Sequence, residues 1–424
     1  MASSPGAAPP PDSRKALEEF HSRGLLREGT LFPDYDRGSI VSVGPTIARS
    51  LGLDFRGERA LDLRERADHA VLLLVDSLSV DMARRLLREV PALRGALAES
   101  RVVTSTFPSV TPTGISSILS GLYPAEHAIP GFHFRLEGVE RVIQFYRLSP
   151  AEQEEEGGLQ TLGYDVARLG FDSLVTAAPR EGVPARLAMP KKIAASLSTD
   201  LLRGAGLTGE GRGRGGVPVA AYGRHRDCLG AVPEGASGFT YAYFSAIDES
   251  LHLRGLHHRS TEQAFAALVA TLSEWLERWR EEALLFITSD HGHVDLRQPR
   301  VVDLHDPGLT KLMDLPPGVS GGRVAFFYTS KAEALGERLC ALGGEDLWLL
   351  RPEEAVERGL LGPVPPSEEA LARIGDLVAV ARGSAYMRYR YSPKSPAKPD
   401  GATHSALSPE EMMVPLLLAR VGKR

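Results

Sequence analysis

Residues 283–293 read Ala-Leu-Leu-Phe-Ile-Thr-Ser-Asp-His-Gly-His, an apolar run that ends in polar side chains. Positions 284–287 have the pattern of a short strand buried on both faces of a parallel sheet. Open α/β sheets bind ligands at the carboxyl ends of such strands, where Asp290 and His291 stand here. Both side chains can reach one cation if the backbone turns, and Gly292 permits a turn. Alone, this stretch is more often a strand followed by a polar loop, so the rest of the chain decides.

The composition is that of an ordinary globular protein with a large core. The chain has 424 residues, of which 43% are hydrophobic and 24% charged. A net charge of −5 gives no reason to expect nucleic acid as a partner. The two cysteines, Cys228 and Cys340, are too few for a disulfide framework or a zinc–thiolate site. Any metal ion is therefore expected to be held by His and Asp.

The beginning of the chain does not have the pattern of a signal peptide. Residues 1–12 lack a charged start followed by an apolar core, and their Pro, Ala and Ser content predicts a disordered tail over 1–13. No apolar run is long enough to span a membrane. We therefore expect a cytoplasmic protein without membrane attachment.

The remainder alternates between apolar strands and amphipathic helices. This rhythm predicts an α/β protein with a doubly wound, mostly parallel sheet and helices on both faces. We expect a single catalytic domain over 14–424, with variable insertions near 130–235 and a small α/β insertion near 305–400. The main predicted strands are 71–75, 101–106, 239–247 and 284–287, and the main predicted helices are 80–90, 113–121 and 261–281.

Three of the predicted strands end on or just before an aspartate. One such aspartate is unremarkable, because Asp often caps the following helix. Here each has further donors within reach, and the set is Asp76, Asp248 with His252, and Asp290 with His291. The four-residue spacing from Asp248 to His252 places both on one face of a helical turn. With His404, in a loop before the closing apolar run, these residues can form two metal sites.

Four other histidines are interpreted as ordinary surface or hydrogen-bonded side chains, which is what an isolated histidine usually is. They are His257, His258, His293 and His305. For His293 a contact to a metal-binding side chain is the alternative.

Residues 104–121 place many hydroxyl groups between a predicted strand and a predicted helix. The amino end of a helix attracts phosphate through its free N–H groups and its dipole. A hydroxyl there that touches a divalent cation can lose its proton near neutral pH and attack phosphorus. Thr111 is the candidate nucleophile. The alternative is a Ser/Thr-rich cap and loop without catalytic function.

In this order along the chain, the Asp and His donors and the Thr111 segment resemble the alkaline phosphatase superfamily, and most closely its type I phosphodiesterase/nucleotide pyrophosphatase branch. Residues 107–129 are similar to the nucleophile loop of that branch, which places the catalytic Thr ten residues before the Gly of a Gly-Leu-Tyr-Pro stretch. Counting back from Gly121 selects Thr111 rather than Thr106 or Thr113. The segment that begins at His404 is similar to the final motif of the family.

The resemblance implies a zinc-dependent phosphohydrolase that works through a covalent phospho-threonine on Thr111. One zinc is implied at Asp248, His252 and His404, and the other at Asp76, Asp290 and His291, with the Thr111 oxygen as a further ligand. The implied substrate is a small phosphate ester or diester. A phosphomonoesterase, a phosphonate hydrolase and a phosphotransferase of the same superfamily remain alternatives. From another class, a metal-binding regulatory protein that has lost turnover is the alternative.

Two positions differ from the nucleotide pyrophosphatases. Gly114 stands where that branch usually has Asn three residues after the catalytic Thr, and Ala128 stands where it has Gly after the loop His. The first difference concerns a residue that helps to hold a phosphate oxygen. It leaves the nucleotide-diester substrate open without affecting the predicted metal ligands.

Overall fold

The computed structural model describes residues 8–422, except for 64, 209–210, 215, 233–236, 297 and 394–400. The predicted tail over 1–13 therefore lies mostly outside the described residues, as do parts of both predicted insertions. Within the tail, the Ala8 N–H donates a hydrogen bond to the Leu97 carbonyl. No helix in the described part of the chain is long and apolar enough to cross a lipid bilayer.

Two larger sheets are formed by the described residues. A seven-stranded sheet has the order β4-β3-β5-β1-β6-β11-β2, and only β11 runs against the direction of the other strands. A four-stranded antiparallel sheet has the order β7-β8-β10-β9. The strands are β1 His69–Val75, β2 Leu97–Thr104, β3 Ala185–Pro190, β4 Val219–Tyr222, β5 Gly238–Phe244, β6 Ala283–Thr288, β7 Gly318–Ser320, β8 Val324–Phe327, β9 Leu347–Leu350, β10 Leu377–Ala381 and β11 Met413–Val421.

Helices and short strand pairs connect these sheets. The longer helices are α1 Ser13–Ser22, α2 Val43–Ser50, α3 Val80–Glu89, α4 Thr111–Ser120, α5 Leu174–Arg180, α6 Ala246–Arg254, α7 Arg259–Arg278, α8 Ala332–Gly343 and α9 Glu368–Ile374. Shorter helices span Pro91–Ala96, Pro124–His127, Gly158–Thr161, Lys191–Ala194, Leu197–Leu202, Pro307–Thr310, Pro352–Glu357 and Pro409–Met412. Among the residues that the structure describes, four small sheets each pair two strands: Leu26–Arg27 with Thr30–Leu31, Gly206–Thr208 with Gly211–Arg214, Val294–Asp295 with Ala402–Thr403, and Arg300–Asp303 with Ala385–Arg388. A three-stranded sheet contains His133–Leu136, Arg141–Gln144 and Ser149–Pro150.

Strand β1 shows why the seven-stranded sheet is covered on both faces. Successive side chains of a strand point to opposite faces, and both faces of β1 are apolar. Val71 and Leu73 pack into a core that includes residues of α3 and α7. Leu72 and Leu74 pack into a second core with residues of α2, α4 and α5. The predicted doubly wound, mostly parallel α/β fold is therefore confirmed.

One predicted boundary near the site is wrong. The apolar run suggested a strand over 239–247 that would end at Asp248, but β5 ends at Phe244 and α6 begins at Ala246. Asp248 therefore lies in the first turn of a helix, where the helix dipole favours a carboxylate. The reason is that Ala246 and Ile247 are buried on a helical face, which an apolar run cannot distinguish from a strand.

Strand order brings the predicted donors together. β5, β1 and β6 are neighbours and run parallel, so their carboxyl ends meet at one edge of the sheet. Asp76 follows β1, α6 follows β5, and Asp290 and His291 follow β6. Residues far apart in sequence are thus delivered to one place by adjacent strands, as expected for ligand sites in open α/β sheets.

Candidate metal centre and nucleophile

Asp76, Asp290 and His291 form a fully buried group, called here the three-donor cluster. Each offers an atom that lies within 4.8 Å of the corresponding atoms of the others. His291 Nε2 is 3.6 Å from Asp76 Oδ1 and 3.4 Å from Asp290 Oδ2. His291 Nδ1 lies 3.0 Å from the Gly292 carbonyl, which only accepts, so Nδ1 carries the proton and Nε2 is free to bind a cation.

A second group contains Asp248, His252, His293 and His404, called here the four-donor cluster. Asp248 and His252 lie one turn apart on α6, and His252 Nε2 is 3.5 Å from Asp248 Oδ1. His404 donates its Nδ1–H to the Ser109 carbonyl at 2.9 Å, which leaves Nε2 facing His252 Nε2 at 3.1 Å. The predicted pairing of Asp248, His252 and His404 is present in the structure.

His293 is the member of this cluster that the sequence did not predict. The sequence favours an ordinary histidine here, with a contact to a metal-binding side chain as the alternative. In the structure its Nε2 is 3.4 Å from Asp248 Oδ1, and its ring lies beside those of His252 and His404. The available signal was its position two residues after His291, because alternate side chains of an extended segment share a face. His257 and His258 are exposed, and His305 accepts from the Arg390 N–H, so none of these three joins either cluster.

The two clusters adjoin through one serine and through ring contacts of His291 with His404 and His293. Ser77 Oγ donates to Asp248 Oδ1 at 2.9 Å and lies 3.3 Å from His291 Nδ1. The rings of His291 and His404 are stacked, with centroids 3.6 Å apart. Ser77 has a positive φ of 64°, a conformation rare for a residue with a side chain and often found at functional sites. Sequence reasoning missed Ser77, since a serine after an aspartate carries no signal.

Thr111 stands at the amino end of α4, directly against the three-donor cluster. It is the first residue of the helix, and its Oγ1 lies 3.0 Å from His291 Nε2. Thr113 instead donates to the Ile129 carbonyl at 2.8 Å, which fixes the following loop. Thr106 is buried before the helix begins. Of these three threonines, Thr111 is therefore the one whose hydroxyl contacts a cluster residue.

Three small residues stand near the site, Gly114, Ala128 and Gly292, and each is there for a different physical reason. A Cβ on Gly114 would lie 2.8 Å from the Asp290 Cβ, so the asparagine usual at this position cannot fit without moving Asp290. Gly292 does not adopt a positive φ. A Cβ there would lie 2.0 Å from the Glu410 carbonyl oxygen, and close packing is the reason for this glycine. Ala128 adopts a φ of 55°, the left-handed conformation that glycine would take more easily.

Charge within the site is unbalanced. Burial, followed by the charges of Asp248 and Asp290, raises the pKa of Asp76 well above its usual value, and burial also raises the pKa of Asp290. Burial and the neighbouring histidines lower the pKa of His404 well below its usual value. Among the described residues, no Lys or Arg pairs with the three carboxylates, and Asp290 Oδ2 has no hydrogen-bond partner. Divalent cations fit this arrangement, since they would supply the missing positive charge.

Two further contacts hold the clusters in place. The Tyr243 hydroxyl donates to Asp76 Oδ2. Buried Arg323 donates from Nε and Nη2 to the two oxygens of Glu411, at 2.9 and 3.0 Å. Glu411 in turn accepts from the Ala406 N–H, and its carbonyl accepts from the Gly292 N–H. Arg323 therefore ties the loop after His404 to the segment that carries both His291 and His293.

Comparison with known proteins decides the family. The profile of the family described as type I phosphodiesterase / nucleotide pyrophosphatase matches residues 70–406, which include every residue of both clusters and Thr111. The chain belongs to this family. The resemblance to the alkaline phosphatase superfamily is thereby confirmed, and with it the coarse assignment as a phosphoester hydrolase. A comparison with curated protein sequences finds no match.

Solved structures of this phosphodiesterase fold are similar over most of the chain. Murine ectonucleotide pyrophosphatase/phosphodiesterase 5 has 16% identity and a TM-score of 0.56, covering 84% of this chain and 88% of its own. The human protein of the same name has 14% identity and a TM-score of 0.58, covering 82% and 87%. Phosphonoacetate hydrolase from Sinorhizobium meliloti, in complex with phosphonoacetate, has 16% identity and a TM-score of 0.57, covering 82% and 89%. At these identities the likeness shows the fold.

Proposed function

We propose that this protein is a two-zinc phosphohydrolase that cleaves a small phosphate ester or diester through a phospho-threonine on Thr111. The observation that carries the proposal is the placement of the Thr111 hydroxyl at a helix amino end, 3.0 Å from His291 and beside two adjoining groups of cation-binding side chains. A family of phosphoester hydrolases supports the same reaction class.

Each cluster has the donors that zinc requires. Asp76, Asp290 and His291 would hold one ion, with the Thr111 oxygen as a further ligand, and Asp248, His252 and His404 would hold the other. Bound zinc supplies positive charge at the attacking and leaving oxygens and lowers the pKa of a hydroxyl that it contacts.

The chemistry consists of two displacements at phosphorus. In the first, Thr111 Oγ1 gives up its proton to solvent and forms a bond to phosphorus, while the bond to the leaving oxygen breaks and that oxygen takes a proton from water. In the second, a water oxygen bonds to phosphorus, the bond to Oγ1 breaks, and Thr111 regains its proton. The sum is hydrolysis of one ester bond.

Helix α4 and Tyr146 position Thr111 and the phosphoryl group that it would attack. Its place in the first turn of α4 fixes the backbone, and the dipole of this helix attracts the negative phosphoryl group. Tyr146, from the segment predicted as a variable insertion, lies beside Thr111. Burial raises the pKa of Tyr146 well above its usual value, so its phenol stays protonated and can donate to a phosphoryl oxygen. No motif in the sequence points to Tyr146.

Two chromogenic esters test the proposal. The zinc-loaded protein is assayed on bis-nitrophenyl phosphate and on nitrophenyl phosphate. A diesterase prefers the first, and a monoesterase, the alternative named from the sequence, prefers the second. Phosphonoacetate serves as the substrate for the phosphonate-hydrolase alternative, and an added alcohol that becomes phosphorylated would indicate a phosphotransferase. Hydrolysis of none of these by protein with bound zinc would contradict the proposal and favour a metal-binding regulatory protein.

A further inference from the structure

We propose that His293 is a direct metal ligand, so that the four-donor cluster binds its ion through Asp248, His252, His404 and His293 together. Neither the sequence resemblance nor the set of donors expected from it includes this residue. The inference rests on the proposed metal centre, but it concerns ion binding and does not depend on turnover.

The ring of His293 is buried, but its polar nitrogens form no hydrogen bond with any of the described residues. Its side chain is 2% exposed, and neither ring nitrogen has a hydrogen-bond partner among the described residues. Leaving two polar nitrogens buried and unpaired costs free energy, and native proteins rarely tolerate it without a reason. A bound cation would satisfy one of the two nitrogens.

The position of the ring identifies which ion it would bind. His293 Nε2 is 3.4 Å from Asp248 Oδ1, and one donor atom from each of the four residues lies within 4.8 Å of the others. The centroid of the His293 ring is 5.0 Å from that of His252 and 4.9 Å from that of His404. The His293–Asp248 pair does not form a hydrogen bond in the structure, which argues against a role limited to orienting Asp248.

Backbone pairing explains how His293 arrives there. Val294 pairs with Thr403 in an antiparallel register, so that His293 and His404 follow as neighbours on adjoining segments. The same segment begins at β6 and carries His291 into the three-donor cluster. One short stretch therefore supplies His291 to the three-donor cluster and His293 to the four-donor cluster, and His293 lies beside His404.

A fourth protein donor changes what this ion can do. Zinc sites with four protein ligands are usually closed and bind tightly, whereas catalytic sites keep a position for water or substrate. We therefore expect the ion of the four-donor cluster to be the more tightly held. The ion of the three-donor cluster, whose fourth ligand would be the reactive Thr111 oxygen, is expected to be the more weakly held.

Zinc affinity is the first measurement. The full-length protein, freed of metal, is titrated with Zn²⁺ against a chelating dye of known affinity, and wild type is compared with His293→Gln. We expect two classes of site in wild type and a weakening of the tighter class by about 100-fold in the variant, since even groups one contact away from a metal change affinity 10- to 100-fold. The matched control is His257→Gln, which removes an exposed histidine and leaves both affinities unchanged.

Cobalt spectroscopy separates a ligand from a positioning residue. In Co²⁺-loaded protein, hyperfine-shifted ring resonances report each coordinated histidine. We expect four such histidines in wild type, His252, His291, His293 and His404, and three in His293→Gln. Three in both proteins would overturn the proposal even if zinc affinity fell, because His293 would then act only through another side chain. Unchanged affinity would overturn it as well.

Two further measurements separate loss of a ligand from loss of folding. Melting of metal-free His293→Gln is compared with metal-free wild type, and His293→Cys, which restores a metal donor, should recover most of the affinity if His293 is a ligand. Failure of His293→Cys to recover it, in a folded protein, would count against the proposal. The proposed function fails separately, if zinc binds as described and none of the phosphate or phosphonate esters is hydrolysed.

Discussion

The three-donor and four-donor clusters adjoin, yet they are built differently. The donors of the first are all buried, follow the central strands β1 and β6, and face Thr111. In the second, the side chains of Asp248 and His252 remain 16% and 36% exposed, and the other donors come from the segments around 293 and 404. The difference suggests a division of work in which the buried cluster, beside Thr111, would activate the attacking oxygen, and the more exposed cluster would hold its ion with more protein donors.

Removing one donor from each cluster tests this division most strongly. Asp290→Ala should lose the ion of the three-donor cluster and reduce turnover by about a thousandfold or more, because the group beside Thr111 is destroyed. His252→Ala should bind its ion more weakly but retain it at saturating zinc, since Asp248, His293 and His404 remain. Metal content by mass spectrometry and turnover are measured for both variants.

Equal metal loss from the two variants would contradict the claim that the four-donor cluster holds its ion with more donors. His404→Ala provides the intermediate case, because it removes a donor of the four-donor cluster and the hydrogen bond to the Ser109 carbonyl. We expect it to weaken the four-donor ion more than His252→Ala does. Full metal content and full activity in His404→Ala would show that this residue is not a ligand.

The sequence predicted the three-donor cluster completely and the four-donor cluster in part. Asp76, Asp290 and His291 follow strongly apolar strands, so local pattern and the family motif both point to them. His293 joins the site only because Val294 pairs with Thr403, which lies far along the chain. Local pattern contains no information on that pairing. The fold was predictable for the same reason as the first cluster, since runs such as 71–75 and 284–287 are apolar on both faces.

Supporting contacts were beyond sequence reasoning. Arg323 and Glu411 lie 88 positions apart and no local pattern links them, yet they form a buried pair. Tyr243 appeared only as one aromatic residue of an apolar strand, and its hydroxyl reaches Asp76 because β5 and β1 are neighbours. In each case the role depends on which strands or loops become adjacent.

The second prediction concerns the support of the segments that carry His291, His293 and His404. Arg323→Ala should reduce the free energy of unfolding by about 3–5 kcal/mol, because it leaves the Glu411 carboxylate buried and unpaired. The control is Arg300→Ala, which breaks an exposed ion pair with Asp346 and should cost less than about 1 kcal/mol. Denaturant unfolding of the metal-free proteins measures both, and equal small losses would contradict the account.

The third prediction concerns the support of the three-donor cluster alone. Tyr243→Phe removes the hydroxyl that donates to Asp76 and should weaken zinc binding at that cluster by about tenfold, with no change at the four-donor cluster. Tyr241→Phe is the matched control, since this hydroxyl lies on the same strand and has no hydrogen-bond partner among the described residues. Weakening at both clusters, or an equal effect of the control, would show that the two ions are not supported separately.

The central claim is that Thr111 is the nucleophile, and Thr111→Ala tests it most directly. Turnover of the better nitrophenyl ester, zinc content and melting are measured for Thr111→Ala, Thr111→Ser, Thr106→Ala and Thr113→Ala. We expect Thr111→Ala to keep its metals and its fold, with a stability loss below about 1 kcal/mol, because Val110 rather than Thr111 is the N-cap of α4. Its turnover should fall by about a thousandfold or more.

Thr111→Ser should keep part of the activity because the hydroxyl remains, and the other two variants should be much milder. Near-normal turnover of folded, zinc-loaded Thr111→Ala would contradict the account. If turnover of Thr106→Ala collapsed at the same time, the attacking hydroxyl would be that of Thr106.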